Sequence, residues 1–403
     1  MATTTIQDRA ATTQRPEGVA LFSAGFRPFF LLAAAWSAFA LPVWLCVYTG
    51  EIVLPSALPP TLWHVHEMVF GFASATIAGF LLTAIPNWTG RLPLAGGPLA
   101  MLAALWLAGR FAIMFSGTIG PLSAAIIDLS FPAVFIGVIA RELIAGRNWR
   151  NLPMLAALAL LLCGSALVHL EATGMAGTAP LGNRLGLGTI LMLIALVGGR
   201  IVPSFTRNWL AKVRPGGSLP APAGRLDMAA LLFTLAGLAA WVAAPDSAAA
   251  PWLELTAGLA VAVRLSRWCG LSTFSEPLVF ILHLGYGWLA LGLLLLGFNG
   301  IHAVLPVTAA LHALTVGAVG TMTLAVMTRA TLGHSGRALV ARQGTQAIYV
   351  LITLAAVARL AAPLAGAHAL VLTWIAGGAW SAAFALFALL YGNLCVRANR
   401  HAL

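Results

Sequence analysis

Apolar residues run along this chain in blocks of roughly twenty, and turn-forming Gly and Pro together with most of the charge fall in the breaks between them. A helix needs about 20 apolar residues to cross the hydrocarbon of a bilayer. Twelve blocks meet that length, near 26–48, 64–86, 95–116, 119–141, 152–173, 182–204, 224–244, 250–269, 276–298, 304–328, 342–363 and 366–391. The expected fold is all-α, a polytopic integral membrane bundle of about twelve transmembrane helices. It forms one domain over 21–395, between a polar tail at 1–20 and a short tail at 396–403. The eighth block is the weakest, because Arg264 and Arg267 sit in its last turn. The first twenty residues lack the apolar core of a signal peptide. The longest break, 205–223, contains RPGGSLPAPAG and reads as a flexible connector.

Composition sharpens this picture. Of 403 residues, 60% are hydrophobic and only 8% charged, against about 25% charged in soluble domains. The net charge of +11 would suggest nucleic acid in a soluble protein, but here it follows from the Arg and Lys that collect in cytoplasmic loops. With alternating breaks assigned to opposite sides, nineteen basic residues fall on one side, Arg27 and Arg200 among them at helix ends. Only Arg110, Arg184 and Arg359 fall on the other. Both termini are therefore expected in the cytoplasm. Cys46, Cys163, Cys269 and Cys395 show no C-x-x-C spacing and read as small apolar residues. The second, sixth and tenth blocks end in IPNWTGR, IVPSFTRNW and VMTRATLG. Each lies four blocks on from the one before, so twelve could be three units of four, although the likeness is short and out of register.

The candidate chemistry lies in the histidines, since an ionisable residue inside a span is a functional hypothesis by default. On the expected topology His64, His66, His169, His302, His312 and His368 lie towards the non-cytoplasmic side, and His283 lies deeper. His334 falls in a cytoplasmic loop and His401 in the tail. His64 and His66 point about 200° apart on a helix, so they suit two different centres rather than one. Gly71, Ala75 and Gly79 lie within about 60° of His64. Such a stripe admits a close neighbouring helix or a flat macrocycle. Glu67 could relay protons, bind a metal, or simply complement the helix dipole. His312 shares its side with Thr308, Thr315 and Thr323, and His283 is followed by Tyr286 and Gly287. His169, beside Glu171, reads as a hydrogen-bonded structural residue.

A membrane cluster of imidazoles suits haem iron, copper or zinc rather than magnesium or calcium. Without C-x-x-C-H, any haem would be b-type. Its propionates would need cations such as Arg27, Arg200, Arg207 or Arg329, although snorkelling to lipid phosphate is the ordinary role of such residues. There is no P-loop, dinucleotide fingerprint or nucleophile elbow, which argues against nucleotide chemistry.

Five stretches in order, GFRPFFLLA (25–33), WHVHEMVFGFASATIAGFLLTAIPNWTGR (63–91), GGRIVPSFTRNWL (198–210), HLGYGWLALGLLLLG (283–297) and HALTVGAVGTMTLAVMTRATLGHSGR (312–337), resemble the NnrS family over about 20–395. The resemblance implies a polytopic membrane protein carrying haem and copper and associated with denitrification and resistance to nitric oxide. It implies functional roles for His64, His66, Glu67, His283, His312 and His334, without deciding which hold iron and which copper. The expected activity is binding of nitric oxide and its reduction to nitrous oxide. His64 or His66 with His312 would hold the site, Glu67 would supply protons, and a quinol or a second haem near His283 would supply electrons. The competing expectations are a haem protein that binds nitric oxide without turnover, and a transporter.

Overall fold

The protein, seen in a computed structural model, is described from residue 20 to residue 397. Arg9, Arg15, Arg400, His401 and nearly all of the two expected tails lie outside the described residues. No strand occurs among the described residues. The helices are α1 (Phe26–Tyr48), α2 (Pro60–Thr89), α3 (Gly97–Met114), α4 (Pro121–Ala145), α5 (Trp149–Ala172) and α6 (Ala179–Val213). They continue as α7 (Arg225–Ala243), α8 (Ala250–Ser266), α9 (Pro277–His302), α10 (Val307–His334), α11 (Gln343–Leu364) and α12 (Gly366–Val396). Eleven of these are long and apolar enough to cross a membrane, and α8 is shorter at 17 residues. The chain is a multi-pass membrane protein.

The sequence places the eighth block at 250–269, but α8 stops at Ser266. Arg264, in its last turn, is drawn inward to Asp227, and Cys269 takes up a left-handed φ of 56° that turns the chain into the Gly270–Thr273 turn. Asp227 lies at the start of α7, so α8 returns the chain to the end from which α7 departed. It therefore runs antiparallel to α7, and the up-and-down alternation of the chain survives its short length.

The helices form a closed ring of three units. α4 packs on α5, α8 on α9, and α12 back on α1, while the second helix of each unit, α2, α6 and α10, turns inward. These three alone among the described helices carry π segments, at Glu67–Phe72, Ile194–Gly198 and Ala313–Gly320. The shared position of the wide turn supports the three-by-four organisation more firmly than the loop endings do. Between α2, α5, α6 and α10 lies an apolar cavity of about 100 Å³, with Ile77, Phe80, Ile194, Val319 and Met322 in its wall.

Two contacts fasten the ring. Arg27, at the start of α1, donates from Nη1 to the carbonyls of Leu394, Cys395 and Arg397 at 3.1, 3.0 and 2.8 Å, satisfying acceptors that the end of α12 leaves open. Gly164 on α5 meets Gly182 and Gly186 on α6 so closely that a Cβ on Gly182 would stand 2.5 Å from the Gly164 carbonyl oxygen. Without a hydrophobic force between helices in lipid, such backbone approach is a main source of adhesion.

Candidate functional site

His64 and His66 lie in the first turns of α2, just before its π segment, and they face different helices. The ring of His64 stacks on Trp44 of α1, with centroids 4.1 Å apart. His312 of α10 and Arg359 of α11 lie within electrostatic range of it. The Nδ1 of His64 is buried and has no hydrogen-bond partner. Nδ1 of His312 lies 2.6 Å from the Thr308 carbonyl. A carbonyl only accepts, so Nδ1 carries the proton and the Nε2 lone pair is left for a metal. The side chains of Thr315 and Thr323 donate to helix carbonyls, so the hydroxyl stripe serves the backbone rather than the imidazole.

His66 turns towards α3, α4 and α5 and enters a buried polar network, in which every member is 4% exposed or less. Its Nδ1 is 3.1 Å from Glu67 Oε1, and its Nε2 is 3.3 Å from both Asp128 Oδ2 and Ser165 Oγ. His169 Nε2 is 2.9 Å from the same Asp128 oxygen. Arg110 closes the network. Its Nη1 donates to both oxygens of Glu67 at 2.7 Å, and its Nη2 pairs with Asp128 Oδ1. Trp106, one turn from Arg110, donates to the Gly71 carbonyl inside the π segment at 3.1 Å. The divergence deduced from the i, i+2 spacing is thus realised: one helix start serves two clusters.

Several site expectations are corrected here. Glu67 faces His66 and is clamped by Arg110, so it is not free to carry protons to His64. His169 is hydrogen-bonded as expected, with Asp128 as its partner, while the neighbouring Glu171 accepts from the Ala179 N–H. The glycine stripe offers no cradle for a macrocycle, because the space beside Gly71 is filled by Arg110 and that beside Gly79 by Phe29 and Phe30. Arg110, placed on the non-cytoplasmic side from the sequence, is buried in this network, and Asp128 was not singled out from the sequence at all. The available signal was their position: each is a lone charge inside an apolar block.

At the opposite end a second network joins α6, α7, α8 and α9. Arg264 lies against Gly199 and donates to Asp227 Oδ1 at 3.0 Å, to the Ala195 carbonyl at 2.9 Å and to the Tyr286 hydroxyl at 3.0 Å. Tyr286 donates in turn to Ala195. These bonds pin the π segment of α6, so Tyr286 is a structural anchor rather than a cofactor contact. His283 lies nearby on α9. Thr206 donates to the Val202 carbonyl, and therefore accepts from His283 Nε2 at 2.8 Å. Nδ1 of His283 lies against Gly270. Nε2 is thus committed to Thr206, whereas Nδ1 is buried with no hydrogen-bond partner.

The remaining arginines do not converge on one site. Arg27 clasps the end of α12, Arg200 is exposed, Arg207 donates to the Pro220 carbonyl, and Arg329 covers the ring of Phe205 at 4.0 Å. His334, exposed at the end of α10, lies beside Phe26 with ring centroids 5.7 Å apart. The structure thus places His64 within electrostatic range of His312 and gathers His66 with Glu67.

A search of curated proteins found no match to this chain. The family model described as NnrS protein matches residues 20–399, nearly all of the chain and all five stretches singled out in the sequence. The chain therefore belongs to the NnrS family, and by that membership it is a nitric-oxide-related membrane protein.

Proposed function

We propose that the protein binds nitric oxide at a redox metal held by His64 and His312, and reduces it within the membrane. The observation that carries this reading is the state of the two imidazoles: His64 has an orphaned buried nitrogen, and His312, within electrostatic range of it, has its tautomer fixed by the Thr308 carbonyl so that the Nε2 lone pair is left over. A bond from the other ring nitrogen to a carbonyl is the usual support of a metal-binding imidazole. The donor set fits either of the groups implied by the family, the iron of haem b or a copper ion.

The bound metal would supply a coordination position for nitric oxide and a path for electrons. His64 and His312 would fix the metal, Trp44 would brace the His64 ring, and Arg359 would favour negative charge developing nearby. Nitric oxide is small and apolar, so it can arrive through lipid and occupy spaces such as the central cavity. Two molecules of nitric oxide, two protons and two electrons give one nitrous oxide and one water. A quinol would supply the protons and electrons together and leave as quinone. The excess of Arg at the Arg27 end orients that end to the cytoplasm of the bacterial inner membrane, with lipid as the surrounding partner and no role for nucleic acid.

One observation favours a second reading, in which nitric oxide is bound without turnover. Among the described residues no carboxylate hydrogen-bonds His64 or His312, and Glu67 is clamped elsewhere. Detergent-purified protein supplied with a short-chain quinol and nitric oxide separates the two. Nitrous oxide should form above the buffer control, and His64→Ala and His312→Ala should each lower bound metal at least tenfold and abolish the product. A metal-dependent nitrosyl spectrum without nitrous oxide would favour binding alone. Unchanged metal content in both variants would remove the site.

A further inference from the structure

We propose that His66, Asp128 and His169 form a separate binding site for a divalent first-row transition-metal ion, with Glu67 and Arg110 as its positioning residues. It stands independently of whatever His64 and His312 hold.

Three facing donor atoms, one from each residue, lie within 4.8 Å of one another. Two of the three separations are 2.9 and 3.3 Å, both measured to Asp128 Oδ2. Ligands bound at about 2.1 Å lie about 3.0 Å apart at octahedral angles and about 3.4 Å apart at tetrahedral ones. Those two edges already have the lengths of a coordination polyhedron, and the imidazole-to-imidazole edge is no longer than 4.8 Å. The three residues come from α2, α4 and α5, so no single helix periodicity accounts for their meeting.

The surroundings are those of a metal centre. His66 sets its other nitrogen on Glu67 Oε1, the carboxylate–histidine arrangement that fixes a tautomer and makes the free nitrogen a better donor. Asp128 commits Oδ1 to Arg110 and leaves Oδ2 for the cluster. Arg110 holds both carboxylates, so each acidic group is oriented from behind. Charge gives an independent reason. Glu67, Asp128 and Arg110 sum to one uncompensated negative charge if both imidazoles are neutral, in a setting that is almost wholly excluded from water. An unmatched buried charge is costly, so the cluster needs a further cation. A divalent ion satisfies that need and leaves room for one anionic ligand, with Ser165 Oγ standing 3.3 Å from His66 Nε2 as a hydrogen-bonding neighbour. Two imidazoles and a carboxylate suit iron(II), manganese, cobalt or zinc and lack the oxygen count that calcium or magnesium requires.

The alternative cation is a proton, which would make His66 an imidazolium between two carboxylates. The experiment distinguishes them. Full-length protein carrying His64→Ala and His312→Ala, so that no metal resides at that pair, is stripped with chelator and titrated with cobalt(II). Binding is followed by electron paramagnetic resonance and elemental analysis, with haem counted separately as its pyridine complex. One cobalt per chain is expected, displaced by zinc. Adding Asp128→Asn or His169→Gln should weaken it at least 100-fold, and Glu67→Gln, which alters only the support of His66, about 10- to 100-fold. Absence of stoichiometric cobalt, or retention of full affinity with Asp128→Asn and His169→Gln, would overturn the site. Should those variants fail to elute as monodisperse protein, the parent titration decides: one zinc-displaceable cobalt with imidazole nitrogen couplings sustains the site, and none ends it. Loss of nitrous oxide formation from His64→Ala with cobalt binding intact would leave the two proposals standing apart.

Discussion

Arg110→Leu should yield almost no folded protein. Among the described residues Arg110 is the one arginine or lysine that touches Glu67 and Asp128, and both carboxylates are buried. Removing one member of a buried ion pair costs about 3–5 kcal/mol, because the remaining charge is left without compensation. Here two charges lose their partner at once, against a total stability of about 5–15 kcal/mol. Arg110→Lys should rescue only in part, since an ammonium cannot fork to two carboxylates in a plane. The triple change Arg110→Leu, Glu67→Gln, Asp128→Asn should recover more protein than Arg110→Leu alone, because it removes the charges along with the cation. The monodisperse fraction on size-exclusion chromatography after detergent extraction reads each case. Wild-type yield from Arg110→Leu alone would show that the network is not the fastening described here.

Gly182→Leu should be nearly as damaging for a different reason. A side chain at this position meets the carbonyl oxygen of Gly164 and the Cβ of Leu167, 2.5 and 3.0 Å from where its own Cβ must stand. Backbone cannot rotate out of the way as a side chain can, so α5 and α6 must separate. Overpacking of this kind costs about 1–3 kcal/mol in an adaptable core, and the upper end is expected where two backbones touch. The proper control is Gly137→Leu on α4, where nothing lies within 4 Å and a better helix former should be neutral or slightly stabilising. The temperature of half-precipitation in detergent should fall clearly for Gly182→Leu and hold for Gly137→Leu. Equal behaviour of the two would refute close helix contact at Gly182.

The span pattern was legible because lipid imposes it on composition alone. Even the weak eighth block formed a helix, misjudged only at its end, where Arg264 turned towards Asp227 instead of water. The divergence of His64 and His66 was legible too, being fixed by 100° per residue before any partner is known. The π segments were not. A wide turn leaves the apolar composition of a block unchanged, and nothing in EMVFGF or ALTVGAVG distinguishes it from an ordinary turn. Nor was the assembly of the His66 network legible, because Arg110, Asp128 and His169 come from three blocks whose order around the ring is tertiary information. Their individual signal was present, however. A lone Asp in AAIIDLSF or a lone Arg in LAGRFAI is costly in hydrocarbon, and two such costs in one bundle are a reason to look for each other.

The clasp of Arg27 on the end of α12 bears on how the molecule is made. The donor and its acceptor on Leu394 are 367 residues apart, so α1 enters the bilayer long before its partner has been synthesised. Until then one flank of α1 and the arginine beside it must be held by lipid headgroups or by an insertion chaperone. The seam between first and last helices is thus the final joint to close during biogenesis, and stalled or shortened nascent chains should be recognised by quality-control proteases at that open edge.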